Sequence, residues 1–275
     1  MTKILCGRKW AIKLGIGIFR PMKQFAALFG AMRDACDPSR KKYLASYFET
    51  GAKAQGAAKR QFTGLTAVAA RRVARRFADE LPPSDLRALL ASDVNEHRFV
   101  ALEMLVRRYE QGGPPEREKM AKLYIRNLRF VDHWVLVDTS APYILGDYLV
   151  ARPRTLLYDL AASDDFVKRR IAIVATAAFI RAGDFHDTFR IAELLLHDEH
   201  QLIHRAVGWM LREIGKRSAA ALERFLQMWA PVMPRLMLRY AVERLPASRR
   251  RAHLAASGKR EHGQVGPARW PRLPR

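Results

Sequence analysis

A tryptophan and an aspartate stand four residues apart near the middle of the chain, in the pentapeptide Trp134-Val-Leu-Val-Asp138. On an α-helix this spacing places both side chains on one face. A carboxylate beside an indole in an otherwise cationic chain could stabilise a developing positive charge or move a proton on a substrate that the cationic surface holds. The same pair is also typical of a plain helix surface, where the aspartate is solvated and the tryptophan is structural.

A second candidate is Trp209, in the segment Arg205-Ala-Val-Gly-Trp-Met-Leu-Arg212. Helical spacing sets Trp209 off the apolar stripe and on one face with Arg205 and Arg212. An aromatic ring between two arginines is typical of nucleotide stacking combined with charge. Gly208 permits the close approach of either a neighbouring helix or a ligand. Trp209 is therefore either a nucleotide contact or a tryptophan half-buried against the next helix.

Arg170 is a third candidate. It lies four residues after Phe166 and four before Val174, so on a helix it borders the apolar face. An arginine in that place either extends along the edge of the core with its guanidinium in water or points at a phosphate of a ligand. The pattern leaves both interpretations open.

The charge balance limits the classes of partner. The chain has 275 residues, with 49 Lys+Arg against 27 Asp+Glu and a formal net charge of +22. This excess favours a polyanionic partner, with nucleic acid the first candidate and an anionic membrane surface the second. Cys6 and Cys36 form no metal or disulfide pattern, and the histidines lack zinc-site spacing. We therefore expect a reduced, intracellular protein without a metal, and no apolar run is long enough to span a membrane.

Helical periodicity recurs along the chain, with short Pro, Gly and Asp interruptions and almost no strand pattern. One predicted helix, at residues 67–79, is unusually basic. Paired antiparallel helices at a period of roughly 35–45 residues indicate an all-α fold, an α-solenoid of HEAT-like repeats whose concave, basic face would bind an extended ligand. At Pro142 either the helix that carries Trp134 kinks, or Thr139 or Ser140 caps a new helix.

The predicted organisation has three parts. Residues 1–37 form a basic N-terminal extension and a first helix, residues 38–245 form the HEAT-like repeat domain, and residues 246–275 form a disordered basic tail. The tail is rich in arginine, proline, glycine and serine. It would either raise the affinity for phosphate backbones or only add solubility.

Taken together, these motifs resemble those of the AlkD-like DNA glycosylases, the HEAT-like-repeat DNA alkylation repair proteins. The resemblance covers approximately residues 41–245, and the motifs occur in the family's order. The matching segments are Trp134-Val-Leu-Val-Asp138, Arg169-Arg170-Ile-Ala-Ile173, Ala206-Val-Gly-Trp209-Met-Leu-Arg212, Arg98-Phe-Val-Ala-Leu-Glu-Met104 and Leu145-Gly-Asp147.

The resemblance implies roles for residues at the reacting centre. Asp138 matches the family's catalytic aspartate. Trp134 and Trp209 match the two aromatic residues that hold the lesion-bearing deoxynucleotide, and Tyr47 matches a tyrosine near the DNA. The implied activity is excision of positively charged N3- and N7-alkylpurines from duplex DNA, without drawing the base into a pocket.

The resemblance also implies contacts with the DNA backbone. Arg170 matches an arginine that contacts the backbone near the lesion. The residues that we expect to bind the backbone are Arg170, Arg169, Arg205 and Arg212. One departure from the family is Asp132-His133, which replaces the usual Ser-Trp before the key tryptophan. It brings a second carboxylate near the site, where it would either perturb Asp138 or face solvent.

The chemistry of the residues is compatible with this activity. An N-alkylated purine is already cationic, so its glycosidic bond is weakened and its departure needs little acid catalysis. Asp138 beside the sugar would stabilise oxocarbenium-like charge and position or deprotonate the attacking water. We expect a monofunctional glycosylase that needs no cofactor and acts as a monomer in the cytoplasm, at the nucleoid.

Two functions of other classes are also compatible with the sequence. The chain could be a non-catalytic HEAT-repeat scaffold that binds nucleic acid or an acidic protein, because charge, helical repeats and stacking tryptophans all allow it. A third reading is a membrane-surface protein that uses its two basic ends. The pair Trp134 and Asp138 favours an enzyme, because phosphate binding alone has no use for a carboxylate there.

Overall fold

The computed structural model describes residues 22–52 and 61–256, with side chains for residues 24–46 and 61–256. Within these ranges the chain is helical, and its β-type pairing consists of isolated bridges between Cys36 and Leu65 and between Gln61 and Val94. The prediction of an all-α fold is confirmed for the described residues. The chain divides into two compact units, Met1–Leu145 and Gly146–Arg275.

The longer helices of the first unit are α1 Met22–Asp34, α2 Arg40–Ala52, α3 Ala67–Phe77, α4 Pro83–Leu90, α5 Asn95–Gln111, α6 Pro114–Arg126 and α7 Trp134–Ser140. Those of the second unit are α8 Thr155–Ala161, α9 Phe166–Ala175, α10 Ala177–Arg181, α11 His186–Leu194, α12 Gln201–Arg217, α13 Ala219–Trp229, α14 Arg235–Ala241 and α15 Ala247–Ala256. Single helical turns at Leu128–Phe130 and Asp147–Leu149 precede α7 and α8.

Helix α3 is the predicted basic helix, and it is strongly two-faced. Ala70, Val73, Ala74 and Phe77 are buried, whereas the arginines between them are exposed. Burying a side chain such as Phe77 contributes about 1.5–3 kcal/mol. The apolar stripe therefore fixes which way the arginines face, and it directs them into solvent.

Ion pairs join arginines to carboxylates that lie 29 to 34 residues further along the chain. In the first unit these contacts link α3 to α5, and α5 to the residue pair before α7. The second unit shows the same offset. The pairs are Arg71–Glu103, Arg98–Asp132, Arg154–Asp184, Arg169–Asp198 and Arg212–Glu243. Each pair therefore skips one to three helices, so the same polar contact recurs along the sequence.

The segment after α7 settles the two interpretations of Pro142. Thr139 and Ser140 lie inside α7, and their hydroxyls donate back to the carbonyls of Val135 and Leu136 at 2.8 and 2.6 Å. Neither caps a new helix. The chain instead widens into a π-helical turn at Pro142–Gly146, because proline has no N–H to donate to the preceding turn.

Helix α15 corrects one prediction. Residues 246–275 were expected to be disordered, but Ala247–Ala256 form a helix. Alanine and arginine are strong helix formers, and this part of the segment contains neither proline nor glycine. Residues 257–275, which hold the remaining prolines and glycines of the predicted tail apart from Pro246, lie outside the described residues, as do residues 1–21 of the predicted N-terminal extension.

Candidate functional site

Helix α7 carries Trp134 and Asp138, one helical turn apart. Both side chains are half-buried, so each presents part of its surface to solvent. Leu136 and Val137 between them are fully buried and fix the helix on the core. The structure thus places the indole and the carboxylate on the accessible part of a short, well-anchored helix.

A buried hydrogen bond holds the end of α7. The hydroxyls of Tyr124 on α6 and Ser140 lie 2.9 Å apart, and both residues are buried. Burial raises the pKa of Tyr124, against a smaller opposing effect of the bond to Ser140. Tyr124 therefore stays neutral, and the pair works as a fixed contact between the two helices.

A histidine caps the start of α7. The backbone N–H of Val135 donates to Nδ1 of His133 at 3.2 Å, which satisfies one of the amides that a helix N-terminus leaves unpaired. The buried His133 ring also lies against Trp134, with ring centroids 5.4 Å apart. The cap therefore fixes both the beginning of the helix and one side of the indole.

Asp132, the second carboxylate near the site, forms an ion pair with Arg98. Its Oδ2 accepts from Nη1 of Arg98 at 2.7 Å, and Nε of Arg98 donates to the carbonyl of Ser92 at 2.5 Å. Asp132 thereby links α5 to the start of α7. Its carboxylate serves to position the helix that carries Asp138.

The cap makes a testable contribution to stability. Replacing His133 by alanine removes the acceptor for the Val135 N–H, and we expect the free energy of unfolding to fall by about 1 kcal/mol. His133→Asn keeps an acceptor of similar reach and should retain most of that stability. Urea unfolding of both variants measures the difference. Equal losses in the two variants would show that ring packing against Trp134, not the hydrogen bond, carries the effect.

In the second unit Arg170 is 5% exposed. Its Nη1 donates to the carbonyl of Leu202 at 2.6 Å, so the guanidinium joins α9 to the first turn of α12. Arg170 therefore lies at the edge of the core, but its guanidinium is packed against α12 and does not extend into water as that interpretation expected. The little exposure that remains limits any contact with a ligand.

Arg169 is engaged in internal contacts. Its Nε and Nη2 donate to the two carboxylate oxygens of Asp198 at 2.5 and 3.2 Å, and its Nη1 donates to the carbonyls of Ser163 and Asp164. The Asp198 side chain is 3% exposed. A bidentate pair at this depth fixes the loop before α12, because separating it would leave a buried charge.

The start of α12 is capped in the same way as α7. Nδ1 of His200 accepts from the N–H of Leu202 at 3.1 Å, and the N–H of His200 donates to Asp198 at 2.8 Å. Burial lowers the pKa of His200, and Asp198 opposes that shift. A neutral ring is what the cap requires, since Nδ1 must offer a lone pair.

Trp209 is half-buried on α12, and its Nε1 donates to Glu213 at 3.1 Å. Its two neighbouring arginines differ. Arg205 is exposed, whereas Arg212 forms an ion pair with Glu243. The tryptophan is thus flanked by one cation that is open to solvent and one that is already paired.

Gly208 accommodates a helix. A Cβ at this position would lie 2.4 Å from the carbonyl oxygen of Met237 and 2.5 Å from Cβ of Tyr240, both on α14. The structure therefore selects the neighbouring helix over a ligand as the reason for this glycine.

The candidate residues fall into separate groups. Trp134 and Asp138 belong to the first unit, while the other tryptophan and the arginines belong to the second. Tyr47 lies on α2, and its side chain is outside the described part of the chain.

Sequence reasoning missed the residues that position the helices: His133, His200, Asp198 and Arg98. Histidine is not among the common N-cap residues, so neither cap stands out by type. A shared pattern existed, however: an aspartate one or two residues before a histidine that directly precedes a helix, at Asp132-His133 and Asp198-Glu-His200.

The described residues contain no group of three or more His, Cys, Asp or Glu side chains that could hold a metal ion. None of their helices combines the length and apolar character that a membrane crossing requires.

Comparisons with known proteins give a consistent result. The model of the family described as "DNA alkylation repair enzyme" matches residues 30–245. No curated protein matches the sequence. Among solved structures, the chain is similar to one described as "Predicted DNA alkylation repair enzyme from Enterococcus faecalis", with a TM-score of 0.59 and 16% identity over 77% of this chain and 97% of that chain. At that identity the similarity concerns the fold alone.

Proposed function

The chain belongs to the DNA alkylation repair enzyme family, and on this premise we propose that it is a monofunctional DNA glycosylase. Its substrates are purines in duplex DNA that carry an alkyl group at N3 or N7 and are therefore cationic. It hydrolyses their N-glycosidic bond and leaves an abasic site. We propose further that it acts as a monomer on the cytoplasmic nucleoid.

The observation that carries this proposal is the pair Trp134 and Asp138, both partly accessible on the anchored helix α7. A protein with net charge +22 binds DNA through its cations, and a carboxylate near the phosphates weakens that binding. A carboxylate held beside an aromatic ring is useful when the bound molecule is itself cationic or becomes so during reaction.

The proposed reaction is a hydrolytic displacement at C1′ of the deoxyribose. The bond from C1′ to N9 of the alkylated purine breaks, and its electron pair neutralises the cationic base as it leaves. A water oxygen forms the new bond to C1′, and its proton passes to Asp138 or to bulk water. The carboxylate also stabilises the oxocarbenium-like charge on the sugar, as carboxylates do in glycoside hydrolysis. No cofactor enters this scheme.

The tryptophans have a complementary part in the proposal. Trp134 and Trp209 pack on the deoxyribose of the damaged nucleotide, and their π faces favour the cationic state. Because this recognition acts on charge at the sugar, the base need not be drawn into a pocket. Tyr47 is a further candidate for contact with the DNA.

Backbone binding is proposed for arginines that can reach a phosphate. Arg205 and the exposed arginines of α3, Arg72, Arg75 and Arg76, meet that condition. Arg170 contributes through the small part of its side chain that is exposed. Arg169 and Arg212 act indirectly, since their ion pairs with Asp198 and Glu243 hold the helices in place.

The architecture proposed for this activity is a HEAT-like α-solenoid with a basic concave face. The recurring ion pairs support it, because contacts at offsets of 29 to 34 residues are expected when successive helix pairs stack in the same way. The individual offsets are slightly shorter than the expected repeat of roughly 35–45 residues.

Base release from methylated DNA tests the proposal. The full chain is incubated with methylated duplex DNA, and free 7-methylguanine and 3-methyladenine are quantified, with unmethylated duplex and an enzyme-free sample as controls. We expect both bases to be released. The strands should remain intact until alkali cleaves them at the abasic sites.

Other outcomes would contradict the proposed function or part of it. Strand scission without alkali would contradict monofunctional hydrolysis. Absence of release, with salt-sensitive duplex binding retained, would contradict the glycosylase and favour the non-catalytic scaffold.

A further inference from the structure

Helix α15 lies beyond the part of the chain that the family shares. The family match ends at residue 245, and α15 spans Ala247–Ala256. The helix contains Arg249, Arg250 and Arg251 and no acidic residue. It is therefore a compact basic element added to the family core.

One glutamate docks this helix. Oε1 of Glu223 on α13 accepts from Nη1 of Arg249 at 3.2 Å, and its Oε2 lies 2.7 Å from Nε2 of His253. Arg249 and His253 are four residues apart, so they share the face of α15 that points at Glu223. Arg235 on α14 adds a hydrogen bond to the carbonyl of Leu254 near the end of the helix.

The contact is polar. None of the residues of α15 is buried, so apolar packing contributes little to its position. Burial acts to raise the pKa of Glu223, but the hydrogen bonds from His253 and Arg249 outweigh it and the pKa is lowered. Glu223 is thus held as a carboxylate, and the place of α15 depends on it.

The docked face fixes the direction of the other arginines. Arg251 follows Arg249 by two residues, about 200° around the helix, and so lies nearly opposite Glu223. Arg250 lies between these two directions. Both side chains are exposed, and neither forms an ion pair with another described residue. Two cations therefore project from a helix whose third arginine is occupied by the docking contact.

We propose that α15 is an accessory DNA-binding element, in which Glu223 fixes the helix so that Arg250 and Arg251 bind phosphates of the duplex. The inference rests on the proposed function in that duplex DNA is the partner. Guanidinium groups match phosphate geometry, and the absence of acidic residues from α15 avoids repulsion. Fixing the helix in advance reduces the ordering that binding would otherwise require.

Binding of an undamaged, fluorescently labelled duplex tests the inference, by anisotropy in a series of salt concentrations. We expect Arg250→Gln/Arg251→Gln to bind about 10-fold more weakly near physiological salt, and the slope of log affinity against log salt to become shallower by about 2. The matched control is Arg224→Gln/Arg239→Gln, which removes the same charge from exposed positions on α13 and α14. An equal loss in the control would overturn the inference, because it would reduce the effect to net charge.

The variant Glu223→Gln tests whether DNA binding depends on the fixed position of α15 or only on its positive charge. This variant is one unit more positive, so a purely solvated basic helix predicts tighter DNA binding. If α15 must be held in place by Glu223 to bind DNA, the variant should bind DNA more weakly, and we expect its affinity to fall several-fold. Unchanged or tighter binding would overturn the role of Glu223.

The proposed function fails in a distinguishable way. If the wild-type chain does not bind plain duplex at all, the glycosylase proposal falls together with this one. If the wild type binds and releases methylated bases while all variants bind as it does, only the inference about α15 falls.

Discussion

Asp138→Asn is expected to lower the rate of base release from methylated duplex DNA by at least about 100-fold, in line with the loss of one well-placed electrostatic contact to a transition state. Asparagine keeps the size of the side chain and a carbonyl oxygen, but it has no negative charge to offer the oxocarbenium-like sugar. Binding of the duplex should be kept or slightly improved, since a negative charge is removed. Single-turnover release and duplex affinity are the two measurements.

The matched control for this variant is Asp159→Asn. Asp159 is an exposed residue of α8, so the same chemical change is made on a different helix from the one that carries Trp134. We expect wild-type release from the control. Release by Asp138→Asn at the wild-type rate would remove Asp138 from the mechanism.

Gly208→Ala is expected to destabilise the protein by roughly 1–3 kcal/mol, as insertions into close-packed contacts do. The added Cβ would lie 2.4 Å from the Met237 carbonyl oxygen, so α12 and α14 must move apart. The clash opposes a gain of about 1 kcal/mol that alanine normally brings to a helix interior. Urea unfolding monitors the net effect.

Gly30→Ala provides the comparison. Gly30 lies inside α1, and among the described residues no atom outside its own helix lies within 4 Å of a Cβ placed there. Only the helix preference should remain, and we expect a gain of about 0.5–1 kcal/mol. Stabilisation by both substitutions would show that α12 and α14 do not approach as closely as described.

The sequence pattern was sufficient to predict the helices. It did not predict which carboxylates form ion pairs with the arginines on those helices. The apolar spacing in α3 identifies both the helix and its exposed arginines, because a single helix face decides both. Arg169 and Arg212 carry the same kind of charge, yet each contacts a carboxylate about 30 residues away. That pairing depends on how two helices pack together, and no local pattern encodes it.

The candidate site shows the same division. The spacing of Trp134 and Asp138 predicts a shared helix face, and α7 provides it. The role of His133 could not be predicted from the sequence, because a histidine cap requires the ring to turn toward the backbone N–H of Val135, two residues further along the chain. The helical part of the predicted tail was missed for another reason: overall composition suggested disorder, while residues 247–256 alone favour a helix.

The histidine caps have a spectroscopic consequence. A backbone amide can only donate, so Nδ1 of His133 and of His200 must accept, and the ring proton in each must reside on Nε2. Nitrogen chemical shifts distinguish this tautomer from the other one and from the imidazolium. The two rings therefore act as built-in reporters, one in each compact unit, of whether the first turn of α7 or of α12 is intact in solution.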